Sequence, residues 1–201
     1  MGGIINLMKD KAKKENIFYT QKGDNGDTSL FYCDQKRISK SSIVIESLGS
    51  LDELNAFIGL IKLEEEIKDI NFKKLKFNQI LENIQQNLFI IQAEVGGFKI
   101  SIKKNEINKV EKIIDGMSQI VPPVKSFIMA GGSLASAKLD YARTLARKTE
   151  RRVVAVRDEK IRKVSNNTLS YLNRLSSLLY TMSRFANLYF NKKENIPSYG
   201  K

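Results

Sequence analysis

The chain has 201 residues, enough for one domain with a sizeable core and short for two. Its 34 Lys and Arg against 22 Asp and Glu give a formal net charge of +12, which favours anionic partners: nucleic acid, an acidic membrane surface or a phosphate-bearing small molecule. The absence of His excludes a His-based catalytic triad, a mixed Cys/His zinc site and a His-containing di-iron bundle, and the single Cys, Cys33, excludes an intramolecular disulfide.

Residues 1–16 are basic with a short apolar start. Their Asp10 and Glu15 and their lack of Arg suit a loose tail better than a targeting peptide. Without a run of 18 apolar residues no membrane span is expected, and the cysteine usage suggests a reducing interior, the cytoplasm. The stretches IFYT and SLFY are β-favouring and flank a loop crowded with Gly, Asp, Asn, Thr and Ser, so a hairpin is expected over residues 17–32. Asp24, Asn25 and Asp27 in that loop lack the EF-hand spacing, and no Walker pattern is present. Gly23 and Gly26 would expose backbone N–H groups beside the hydroxyls of Thr28 and Ser29. The loop therefore reads either as an ordinary turn or as a phosphate cradle.

Helical periodicity begins after Ser42, with Leu51, Leu54, Ile58 and Ile61 on one face through the acidic run ending in Ile67; Gly49 suggests a kink or a close approach. The clearest stripe, Phe77, Ile80, Leu81, Ile84, Leu88, Ile91 and Val95, predicts a helix over 75–95 that ends at the Gly96-Gly97 pair. A third helix is expected over 104–117, closed by Pro122-Pro123. After a Gly-Gly turn, Ser133 is the expected N-cap of a fourth helix over 134–157. Leu172, Leu175, Leu179, Met182, Ala186 and Tyr189 fall in heptad register on a fifth. Residues 193–201 read as a tail. The expected fold is all-α, one domain over 17–192: a five-helix bundle with the N-terminal loop or hairpin outside it.

Three constellations could carry chemistry. On the fourth helix Arg143, Arg147 and Arg151 recur at i, i+4, i+8, a drift of only about 80°, so three guanidinium groups share a face. Such an array suits a polyanion, because the planar fork pairs bidentately with phosphate; it also fits a solvated basic face bridged to a neighbouring helix, with Glu150 as a partner or a metal ligand. Asp52 and Glu53 stand near the start of an amphipathic helix, either as dipole-complementing acids or as partners for an Arg. Asn173 and Arg174 interrupt an apolar stripe, which specifies register or points into a site.

Taken in order, YTQKGDNGDTSL, SLGSLDELNAFIG, FIMAGGSLASAKLDYARTLARKTERRVV and YLNRLSSLLYTMSRFAN resemble the PduO-type ATP:cob(I)alamin adenosyltransferases over residues 18–190. The resemblance implies a homotrimer of five-helix bundles with ATP between subunits, Mg2+ with the nucleotide, and attack of the cob(I)alamin cobalt on the 5′ carbon of ATP with release of triphosphate. It implies that the N-terminal loop closes over ATP through Thr20, Gln21, Lys22, Gly23, Thr28, Ser29 and Lys40, with Arg147, Lys148, Thr149, Glu150, Arg151 and Asn173 binding the nucleotide. Asp52 matches the acid that pairs with the counterpart of Arg143 across the subunit boundary, and Phe127 the aromatic that faces the corrin and keeps the lower cobalt ligand away. No protein metal-ligand set is implied; a reductase and a cobalamin-dependent client enzyme are compatible partners. The chain departs from the family pattern at Asn25, Ala130, Asp140 and Lys148, where Lys, Pro, His and a second Arg are usual, and Lys40 lacks the Asp-Pro that commonly follows. Two other readings are a basic helical module for nucleic acid and an inactive ATP-bound scaffold for cobalamin delivery. An adenosyl transfer to cobalt needs no nucleophile from the protein, in keeping with a chain without His.

Overall fold

The computed structural model describes residues 19–30 and 37–200. Five long helices carry the fold: α1 (Ile43–Ile61), α3 (Phe77–Gly96), α4 (Lys104–Ser118), α5 (Leu134–Asp158) and α6 (Asn166–Tyr189). A one-turn helix, α2 (Glu65–Asp69), and two minimal antiparallel pairs complete it: β1 (Asp27–Ser29) with β2 (Arg37–Ser39), and β3 (Asn71–Phe72) with β4 (Leu75–Lys76). None of the described helices is long and apolar enough to cross a membrane.

The apolar periods become the core. Every stripe residue of α3 is buried, as are Leu51, Leu54, Ile58 and Ile61 of α1 and Leu172, Leu175, Leu179, Met182 and Ala186 of α6. Tyr189, the last position of the heptad register, is instead half-exposed, and its hydroxyl donates to the Asp69 carbonyl at 3.0 Å. Gly97 ends α3 in the left-handed region (φ 109°), where a side chain would be strained, and Phe98 N–H returns to the Ala93 carbonyl at 2.9 Å. Gly49 marks no tight contact: α1 runs through it, and a Cβ there would meet nothing within 4 Å.

The first helix is shorter than its periodicity suggests. It stops at Ile61, and three consecutive acids, Glu64 to Glu66, start α2 instead; negative charge suits a helix N-terminus and opposes a C-terminus. Glu66 Oε2 then accepts from Ala135 N–H at 2.7 Å, while Ser133 Oγ accepts from Ser136 N–H at 3.0 Å. Two of the four orphan amides at the start of α5 are thereby satisfied, one by the expected N-cap and one by an acid distant in sequence.

Side-chain pairings show how α5 is held on both flanks. Toward α1 the pairs are Arg152–Glu46 (3.6 Å), Thr149 Oγ1 to the Ser50 carbonyl (2.9 Å), Lys148–Glu53 (2.6 Å) and Tyr141–Phe57 (ring centroids 4.9 Å apart), with Lys138–Glu64 just beyond its end. Numbers rising on one helix fall on the other, so the two run antiparallel. Toward α6, Ser136 meets Ser183 (2.9 Å), Arg143 meets the Tyr180 ring (5.8 Å) and Glu150 meets Asn173 (3.0 Å), again antiparallel. Buried Glu94 ties α3 to the start of α6, accepting from Ser165 N–H at 2.7 Å and from the Thr168 hydroxyl.

The N-terminal hairpin differs from the expected one. The strand that pairs with Asp27–Ser29 is Arg37–Ser39, so residues 21–26 form a turn that precedes the first strand instead of joining two. A polar strand, Arg-Ile-Ser, carries little β signal on its own. Of the flanking stretches, residues 17, 18, 31 and 32 lie outside the described residues, as do the expected tail at 1–16 and Cys33.

Candidate active site

The segment between α4 and α5 is irregular and brings Phe127 beside the α5–α6 pair. Phe127, Arg143 and Arg147 line one hollow of about 420 Å3, with Val124, Ile128, Ser176, Ser177 and Tyr180 completing the wall. Phe127 is 78% exposed, so its ring is presented to whatever occupies the hollow and not to the core. The hollow has an aromatic and aliphatic rim on the loop side and two guanidinium groups on the helix side. It is suited to a ligand that is flat and apolar at one end and anionic at the other.

The arginines of α5 have different surroundings. Arg143 Nε donates to Asp140 Oδ1 at 3.1 Å, one helical turn back, and its guanidinium lies against Tyr180. Asp140 is nearly buried and anchors Arg143 at the wall of the hollow. Arg147 and Arg151 make no hydrogen bond or ion pair among the described residues and are exposed. Lys148 turns the other way, to Glu53, and Thr149 is fully buried with its hydroxyl donating to the Ser50 carbonyl. Those two residues join α5 to α1 and do not line the hollow.

Asn173 does not lie in the apolar stripe. It is exposed on α6, and its Nδ2 donates to Glu150 Oε1 at 3.0 Å while its Oδ1 accepts from Arg174 Nη1 at 2.7 Å. Glu150 is one turn beyond Arg147, and Asn173 one turn before Ser176 and Ser177, so this pair borders the hollow. Asp52 is exposed on α1 with no ion pair among the described residues; within one chain the carboxylate on Arg143 is that of Asp140.

The N-terminal loop is a closed structure. Lys40 Nζ donates to the Gly23 carbonyl at 2.7 Å and Lys40 N–H to the Gly26 carbonyl at 2.8 Å. Arg37 Nη2 donates to the Asp27 carbonyl at 2.8 Å and to the Lys22 carbonyl. Gly26 N–H is not exposed as its composition suggests: it is taken up by the Gly23 carbonyl at 3.2 Å. Thr20, Gln21, Lys22 and Ser29 are exposed, and Thr28 is half-buried opposite Ile38. The loop carbonyls are therefore gathered around two cations. Lys40 is committed to shaping the loop, and Arg37 shares that work without having stood out in the sequence.

Tyr180 is the second residue the sequence did not flag. Its ring lies 5.8 Å from the Arg143 guanidinium and 6.0 Å from that of Arg184. Among the described residues no group of three acidic, Cys or His side chains forms a metal cluster.

The family model for cobalamin adenosyltransferase matches residues 18–186. The corrinoid adenosyltransferase PduO of Citrobacter freundii is 39% identical over 173 residues, covering 83% of this chain and 48% of that protein. This chain thus spans about half the length of that PduO relative. The corrinoid adenosyltransferase of Bacillus subtilis (strain 168) is 35% identical over 173 residues, covering 84% of this chain and 86% of that protein. A variant PduO-type ATP:corrinoid adenosyltransferase from Lactobacillus reuteri, solved with cobalamin and ATP, has a TM-score of 0.79 at 28% identity and covers 91% of this chain and 97% of its own. Another variant of that enzyme, solved with ATP, gives 0.77 at 29% identity over 90% and 99% of the two chains. With its fold and most of its length matched, the chain belongs to the cobalamin adenosyltransferase family.

Proposed function

We propose that this chain transfers the 5′-deoxyadenosyl group of ATP to the cobalt of cob(I)alamin. The single observation that carries the reading is the hollow shared by Phe127, Arg143 and Arg147, where an exposed aromatic from one segment meets two guanidinium groups from another. The cobalt(I) lone pair forms the new bond to C5′, and the bond from C5′ to its phosphate oxygen breaks with its electron pair leaving on triphosphate. Charge thus grows on the polyphosphate in the transition state, where preorganised cations act most strongly. Arg143, fixed by Asp140, and Arg147, unpartnered, are the residues for that task, with Arg151 extending the same face. Glu150 and Asn173 would orient the nucleotide. Phe127 would face the corrin and exclude a lower axial ligand, and holding both reactants in line supplies the entropic part of the catalysis.

Mg2+ would be held chiefly by the triphosphate and water, with at most a carboxylate such as Glu150; that fits a chain without an acidic cluster among its described residues. Bound there, it would neutralise charge on the leaving group. A homotrimer with ATP between subunits is the proposed assembly, in which Asp52 of one chain reaches Arg143 of the next and the loop of residues 19–29 covers the nucleotide. Exposed Leu60, Leu63, Leu134 and Tyr141 along the α1–α5 seam support a partner on that face. A cytoplasmic setting, with a reductase to supply cob(I)alamin and a client enzyme to take the product, completes the proposal. The nucleic-acid reading is not favoured: the matching family model and the relatives that cover most of this chain are cobalamin and corrinoid adenosyltransferases.

The test is direct. Purified protein with ATP, Mg2+ and chemically reduced cobalamin should give the absorbance spectrum of adenosylcobalamin, and Arg147→Ala should lower kcat/KM on the order of a hundredfold without lowering the melting temperature. No ATP-dependent spectral change under strong reduction, or wild-type turnover in Arg147→Ala, refutes the assignment.

A further inference from the structure

We propose that Arg184 and Glu194 are positioning residues for Phe127: their ion pair straps the C-terminal segment along the loop that carries the aromatic, and so sets where its ring stands. The inference rests on the adenosyltransferase reading for its catalytic consequence and on geometry alone for the strap. Residues 193–201 read as a tail from sequence, yet Arg184 Nε and Nη2 donate to the two oxygens of Glu194 at 2.7 and 2.6 Å. This is a bidentate fork on a guanidinium only 8% exposed. The next residue makes the decisive contact: Met129 N–H donates to the Asn195 carbonyl at 2.8 Å.

That bond is the one hydrogen bond made by residues 122–130 among the described residues. Among the described residues the loop is otherwise tied at its ends, by Val121 N–H to the Met117 carbonyl at 3.0 Å, by Asn187 to Gly131 and Ser133 at 2.8 and 2.9 Å, and by Ser136 Oγ to the Gly131 carbonyl at 3.1 Å. Phe127 itself cannot fix its own place, because its ring is exposed; it inherits its position from a backbone held two residues further on. The tail has no secondary structure of its own, so the fork at Glu194 is what holds Asn195 in register. Pro122, Pro123, Ile128 and Ile196 line one hollow together with Arg184 and Glu194, so the fork and the loop share a wall. Arg184 also touches Tyr180, whose other neighbour is Arg143, so the strap's cation sits one ring away from the hollow's own.

The chain contains no Trp, so Phe127→Trp installs a single indole at the loop tip. In that background, Glu194→Ala should raise acrylamide quenching and lower the anisotropy of the indole. Because Glu194→Ala leaves a buried cation unpaired, the paired variant Arg184→Met/Glu194→Ala separates loss of the strap from loss of stability. In chains that keep Phe127, both should raise KM for cob(I)alamin on the order of tenfold, the scale of a lost charge-assisted contact, and leave KM for ATP within about twofold. Glu194→Gln, which keeps a hydrogen-bonding partner, should restore part of the loss. Unchanged quenching together with unchanged KM for cob(I)alamin overturns the proposal, and so does an equal rise in both KM values. A wild-type chain that forms no adenosylcobalamin overturns the functional reading and the corrin half of this inference; the indole measurement tells that result from a failed strap.

Discussion

A methyl group at Gly132 would collide with Asn187. A Cβ built there lies 2.3 Å from Asn187 Oδ1 and 2.8 Å from both Cγ and Nδ2, and the backbone has φ +113°, where L side chains are strained. The Asn187 amide is nearly buried and joins α6 to the start of α5, with Nδ2 donating to the Gly131 carbonyl at 2.8 Å and Oδ1 accepting from Ser133 N–H at 2.9 Å. Gly132→Ala therefore adds backbone strain of about 1–3 kcal/mol. It also displaces Asn187 from two hydrogen bonds, at about 1 kcal/mol each. The sum, about 3–5 kcal/mol, should lower the melting temperature by roughly 10 °C in a chain of this size. Asn187→Ala alone should cost about 2–3 kcal/mol, mostly from leaving the Ser133 amide buried without an acceptor. The two changes remove the same bonds, so they cannot add. The double variant should be no worse than Gly132→Ala, with a coupling of about 2 kcal/mol measured by urea denaturation followed by circular dichroism. Costs that add to within about 0.5 kcal/mol would refute the shared-contact argument, and a Gly132→Ala loss below about 1 kcal/mol would refute the clash itself.

Two further expectations follow from buried polar groups. Burial pushes the Tyr171 phenol above its ordinary 10.0, more than the hydrogen bond it accepts from Asn87 at 3.2 Å pulls it down. The native state then keeps a proton that the unfolded chain gives up, so this stabilising term is intact below pH 10 and lost above it, at up to about 1.4 kcal/mol per pH unit. Tyr171→Phe should lower stability at neutral pH by about 1 kcal/mol and flatten the alkaline slope; an alkaline slope equal to wild type would refute the burial argument. Asp140→Ala should leave stability within about 1 kcal/mol, as for a helical i, i+3 pair, yet raise KM for ATP several-fold because Arg143 loses its anchor, with Asp140→Asn intermediate. An unchanged KM for ATP in Asp140→Ala means that the Tyr180 ring alone holds Arg143.

The long helices were legible because burial imposes a period that the sequence cannot hide: the α3 stripe and the Ser133 N-cap both stand in the structure. What escaped was short or depended on remote partners. The α2 turn and the β3–β4 pair are too brief to show a period, and each contributes one buried residue, Ile67 and Phe72. Arg37, Tyr180, Asn187 and Arg184 look like ordinary polar or helical residues until the chain is folded. Each acts on a group at least ten residues away, and no spacing rule reaches so far. Asn173 misled for the opposite reason: its heptad neighbours are apolar, but its own position faces out, toward Glu150.

The arginine comb of α5 was visible as a pattern, yet the pattern does not say which teeth are structural. Partners decide that. Arg152 reaches Glu46, Lys148 reaches Glu53, and Arg143 is held by Asp140. Arg147 and Arg151 are left, one turn apart, repelling each other by a few tenths of a kcal/mol with nothing in the described chain to offset it. Had the comb served only to cover a helix face, the acids that pair its neighbours would have been the simplest answer there too. Two guanidinium groups one turn apart and without a partner among the described residues, the first of them lining a hollow that also holds an exposed aromatic, are better explained by an anion that arrives from outside. On the proposed reading Arg143, already paired with Asp140, would contribute mainly orientation, and Arg147 the charge.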